Sequence, residues 1–128
     1  MPSTANLADE VVVFNSLLGG IFQRVFQRDP ANLEDLRQHL LGELRDTNEI
    51  RLPTTQQLQI LLQDTSSMLA PNFTQKIAED EMAEILHWVY LWSCDSLGPV
   101  SADRMISEAV SQTEALPQGR RFSPRSLL

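Results

Sequence analysis

The chain has 128 residues, 42% hydrophobic and 21% charged, which fits one compact domain with a sizeable core and leaves little room for a second. Seventeen acidic against ten basic residues give a formal net charge of −7, which argues against a nucleic-acid backbone or an anionic membrane as main partner, because like charges repel. No apolar run approaches the roughly 18 residues of a bilayer span, Met1-Pro2-Ser3-Thr4 lacks the features of a secretory signal, and the single cysteine, Cys94, cannot form an internal disulfide, so a cytoplasmic chain is expected.

Prolines divide the chain, because the residue before a proline is pushed out of the helical region. Pro30, Pro53, Pro71, Pro99 and Pro117 mark the junctions. No repeat and no sustained apolar–polar alternation is present, so the expected fold is all-α, a compact bundle of about five helices in residues 1–116. Residues 117–128 are expected as a short, irregular, basic and flexible tail. A short strand at Ile50 to Leu52 is the one departure considered.

The first helix is expected from about Leu7 to Gln27, capped by Thr4 or Asn6, with Leu7, Val11, Phe14, Leu18, Ile21 and Val25 along one seam and Phe22 and Phe26 widening it. Gly19-Gly20 in its middle costs about 1–2 kcal/mol relative to alanine, which marks either a break into two helices or a hinge or close backbone approach. A second helix follows Pro30, capped by Asn32, with Leu33, Leu36, Leu40, Leu41 and Leu44 on one face. A third is expected from Pro53-Thr54 to Ala70, Thr54 and Gln57 having capping-box spacing and Ile60 lying off the stripe of Leu58, Leu61, Leu62 and Met68.

The fourth helix, about Phe73 to Ser96, begins acidic and continues as Ile85-Leu86-His87-Trp88-Val89-Tyr90-Leu91-Trp92, apolar on nearly every side. That half is therefore either the centre of the bundle or a face that waits for a partner. Gly98 is a natural C-terminal cap, Pro99 blocks continuation, and Ser101 is expected to cap a fifth helix that turns Met105, Ile106, Ala109, Val110 and Leu116 inward.

Candidate chemistry is sparse. Glu84 and His87 have the Glu-x-x-His spacing of di-iron bundles, and Asp35 and His39 pair a carboxylate and an imidazole one turn apart. A helical wheel points Glu84 and His87 away from the apolar stripe, so neither a metal site nor any other cofactor is expected. Cys94, beside Trp92 and without a basic neighbour, reads as a core thiol, and no nucleophile elbow, phosphate-cradling loop or Cys-x-x-Cys pair occurs, so no catalytic residues are assigned and no enzyme is expected.

Surfaces carry more information. Arg120, Arg121 and Arg125 give the tail +3, so seven basic and seventeen acidic residues leave 1–116 at −10. The tail is expected either to dock on its own acidic body or a neighbouring copy, with Arg120, Arg121, Phe122 and Arg125 as anchors beside Leu127 and Leu128, or to stay free. Asp80, Glu81, Glu84, Trp88 and Leu91 are the expected interaction surface, an apolar patch with an acidic border. The expected function is a non-enzymatic protein-binding module, an acidic helical adaptor, chaperone or immunity-type protein whose partner offers a basic or amphipathic segment. A homo-oligomeric structural protein is the first alternative and a small-ligand-binding bundle the second.

Overall fold

The computed structural model describes residues 7–128. They form seven α-helices: α1 (Asp9–Arg28), α2 (Pro30–Asp46), α3 (Leu52–Leu61), α4 (Thr65–Met68), α5 (Glu79–Leu97), α6 (Pro99–Glu114) and α7 (Pro117–Arg121), followed by a terminal 3-10 turn (Pro124–Leu127). The fold is all-α, with no strand among the described residues. Ile50 is buried in a bend, while Leu52 opens α3 and is exposed.

The centre of the bundle is α1, not the apolar half of α5. Val11, Val13, Phe14, Leu17, Leu18, Ile21, Phe22 and Val25 are all buried, too wide an arc for a helix covered on one side, and α2, α5, α6, α7 and the terminal turn all pack on it. The glycine pair does not break this helix. A β-carbon at Gly20 would stand 3.3 Å from that of Ala109 on α6, and one at Gly19 would stand 3.2 Å from the Pro71 ring, so close approach is what the pair provides. The caps proposed from sequence, Thr4 and Asn6, lie outside the described residues.

Other boundaries moved for local reasons. Asp29, not Asn32, caps α2, its carboxylate accepting from Ala31 N at 3.0 Å with Pro30 in the first helical position. The expected third helix is two, because Asp64 accepts from Ser67 N at 2.7 Å and starts α4 afresh. The Thr54–Gln57 capping box does not form. Thr54 donates instead to Glu81 at 3.0 Å, and Gln57 accepts from Thr74 N at 3.1 Å. Residues 69–78 are not helical. There Asn15 clasps Phe73 from 58 positions away, donating to its carbonyl at 3.0 Å and accepting from its N–H at 2.9 Å, while the Phe14 and Phe73 rings meet at 5.3 Å.

Gly98 ends α5 and starts α6 in one residue, with φ +87°, its N–H donating to Cys94 O and its carbonyl accepting from Ala102 N. Only glycine adopts this conformation without strain, and Pro99 rather than Ser101 takes up the new helix. Val11, Phe14, Leu18, Leu36, Leu40, Leu61, Leu86, Val89, Trp92 and Ile106 are among the residues buried in one core.

The last twelve residues are docked rather than free. Pro124 and Leu127 are buried, and the terminal turn lies against α1, α5 and α6. Arg121 donates to both Asp9 oxygens, at 2.8 and 3.0 Å, and Arg125 to Glu114 at 3.2 Å. The Arg121 guanidinium holds the Asp9 carboxyl below its ordinary value. A β-carbon at Gly119 would collide with the Thr113 carbonyl, so α7 sits directly on the end of α6. Of the expected anchors, Phe122 is half-buried, while Arg120 and Leu128 are exposed.

Candidate functional site

The sharp turn at Gly98 lays α6 back along α5 and leaves a groove of about 660 Å³ between them, with Leu127 and Leu128 of the chain end in its wall. Its floor is apolar: Leu86, Ile106 and Leu127. Asp80, Glu84 and His87 rise from α5 and Asp103 from α6 to form the rim; no lysine or arginine is among the lining residues, but Arg51 on the approach to α3 pairs with Asp80 at 3.4 Å. The three carboxylates lie on separate turns, which spreads negative charge along an apolar channel rather than concentrating it at a point. Tyr90 ties the walls together, its hydroxyl donating to Asp103 at 3.0 Å. The nearby Cys94 thiol and Asp103 carboxylate push its phenol up to about 12, so it stays neutral and available as a donor.

The expected interaction surface is only partly brought together. Asp80 and Glu84 line the groove, and Leu91, 44% exposed, lies one turn beyond His87 on α5. Trp88 is a correction: it is 4% exposed and belongs to the core, its indole N–H donating to Glu84 at 3.1 Å. Glu81 is another. At 2% exposure it faces inward and accepts from Arg51 N and Thr54 Oγ1 at 2.6 and 3.0 Å, with the Arg51 guanidinium at 3.2 Å. A carboxylate buried this way fastens the start of α3 to α5 and offers nothing to a partner. Asp103, Ile106 and Leu127 were missed as lining residues, because only the reversal at Gly98 and the docking of the chain end bring them to α5.

The carboxylates that suggested metal ligation are engaged by indoles. Glu84 accepts from Trp88, and Asp35 accepts from Trp92 at 2.8 Å. Among the described residues no group of three or more His, Cys, Asp or Glu side chains is placed to hold an ion. Cys94 is half-buried beside Tyr90 rather than deep in the core. A polar cleft between α1 and α6 is organised by Arg24, which already pairs with Glu108 at 3.4 Å and donates to Gln112 and to Gly20 O at 3.0 Å. A smaller cleft of about 300 Å³ lies between Ile60 on α3 and Phe73. No helix among the described residues is long and apolar enough to cross a membrane.

Comparison with known protein families, with known proteins and with solved structures found no match.

Proposed function

We propose that the chain is a non-enzymatic protein-binding module whose α5–α6 groove receives a basic, amphipathic segment of another protein. The observation that carries this reading is the pairing of an apolar floor, Leu86, Ile106 and Leu127, with the carboxylate rim of Asp80, Glu84 and Asp103. An amphipathic helix would bury its apolar stripe on that floor and set lysine or arginine against the rim. The body's balance of −10 would steer such a segment from a distance.

Fluorescence anisotropy with a labelled helical Leu/Lys peptide tests it. The peptide should bind, its Leu/Glu counterpart should not, and Asp103→Lys should weaken binding at least several-fold. Equal binding of both peptides, or indifference to Asp103→Lys in a folded variant, would sink the reading.

Self-association is a second reading, favoured by the exposure of Leu52 and Ile60 on α3, neither of which lines the groove. Sedimentation of the purified chain measures it, and a monomer at all working concentrations removes it.

A further inference from the structure

Resting on the self-association reading above, we infer that α3 is the contact between two copies of this chain, paired antiparallel about a twofold axis at Gln56. The outward stripe of α3 is Leu52, Gln56 and Ile60, all exposed, Leu52 to 69% and Ile60 to 64%. Residues four apart stand one above the other on a helix, so the three form a continuous row. The row has the same pattern from either end, with an amide in the middle and a branched aliphatic side chain one turn away on each side. A twofold axis at Gln56 sets Leu52 of each copy against Ile60 of the other, which is the reciprocal pairing that an isologous contact requires.

Charge selects the same face. Among the described residues α3 and α4 are the only helices without a charged side chain, and between Arg51 and Lys76 the one charged residue is Asp64. On a twofold axis a residue meets its own copy, so any charge there repels itself. In a chain of net charge −7, an uncharged face lets two copies meet without that cost. Glutamine on the axis goes further, because its amide both donates and accepts and can pair with its own copy. Ile60 also lines the cleft of about 300 Å³ that Leu61, Ala70 and Phe73 share, which gives the incoming Leu52 an apolar recess. A contact centred on a helix of ten residues lies at the small end of protein interfaces, so the dimer should dissociate on dilution.

Sedimentation equilibrium of the full chain over a concentration series is the test. The unaltered chain should pass from monomer to dimer. Gln56→Lys and Gln56→Glu should each weaken association by about tenfold or more, because each sets like charges face to face. An equimolar mixture of the two variants should associate again as a mixed dimer, a restoration that requires residue 56 of one copy to meet residue 56 of the other. Gln56 is exposed, so both variants should fold, and unchanged melting midpoints check this. An unaltered chain that stays monomeric at every concentration would overturn self-association itself and with it this contact. A dimer indifferent to both Gln56 variants would overturn the assignment to α3 and leave self-association standing. Weakening by both variants without restoration in the mixture would overturn the twofold register.

Discussion

The indole N–H of Trp92 donates to the carboxylate of Asp35 across 2.8 Å, joining α5 to α2 over 57 positions of sequence. Trp92 is 4% exposed, so without Asp35 its N–H would have no partner and little water. Asp35→Ala should therefore lower stability by about 1–3 kcal/mol, the cost of stranding a buried donor. Trp92→Phe in the Asp35→Ala background should cost less than in the native chain, because the stranded donor is then gone. Denaturant unfolding of the two single variants and the double variant measures this, and simple additivity would remove the coupling.

Two glycines should respond to alanine with opposite signs. At Gly98, φ +87° places any β-carbon in strain, so Gly98→Ala should destabilise by about 1–3 kcal/mol. At Gly42, inside α2, the nearest atom to a new β-carbon is the end of the Arg45 side chain at 3.7 Å, and Gly42→Ala should stabilise by about 0.5–1 kcal/mol. Melting midpoints of the pair check the signs. A stabilised Gly98→Ala would mean that the reversal between α5 and α6 is formed differently.

Glu81 should behave as a structural carboxylate. Removing it in Glu81→Ala leaves the Arg51 amide and the Thr54 hydroxyl without their acceptor, at a cost of about 1–3 kcal/mol. The same variant should bind a cationic peptide as well as the native chain does, since its side chain lies inside. Unchanged stability, measured by urea unfolding, would contradict the inward placement.

The pH dependence has a traceable component. Arg37 donates twice to Glu34 at 2.9 Å, and Gln38 donates once at the same distance, which together hold the Glu34 carboxyl down at about 2 against an ordinary 4.5. A carboxylate whose pKa falls on folding stabilises the native state above its unfolded pKa, and that contribution is lost as pH falls through the folded value. Stability should therefore decline between pH 4.5 and about 2, and less so in Glu34→Gln. Because Glu34 is exposed, although Arg37 is partly covered, the difference should be small and should shrink in salt. Urea unfolding across this range at two ionic strengths measures it.

The sequence was most legible where burial and helical period coincide. Leu33, Leu36, Leu40 and Leu44 recur on one face of α2 and are all buried, because a helix that can hide only one face must pattern it. Phe73 and Ile77 also stand four apart and read as helix, yet Phe73 owes its conformation to Asn15, a contact no local window contains. The break at Asp64 did carry a local signal, a capping residue before Thr65-Ser66-Ser67, overlooked within a run of Gln and Ser. Asp80 and Glu84 were legible as acidic surface, whereas Trp88 was misplaced because a helix covered from two directions has no single apolar stripe. The docked chain end escaped the periodicity argument, since α7 and the terminal turn are each too short to show a period.

The central position of α1 also bears on how a new copy matures. Translation makes this helix before any of its covers, and Arg121, which meets Asp9, is added 112 positions later. Until α6 and the terminal turn have left the ribosome, the sides of α1 that they cover lie open, and a chain halted after α5 would present this apolar surface to whatever it met. Closure of the bundle around α1 therefore waits on α6 and the 3-10 turn, and until they dock the open apolar sides of α1 favour aggregation.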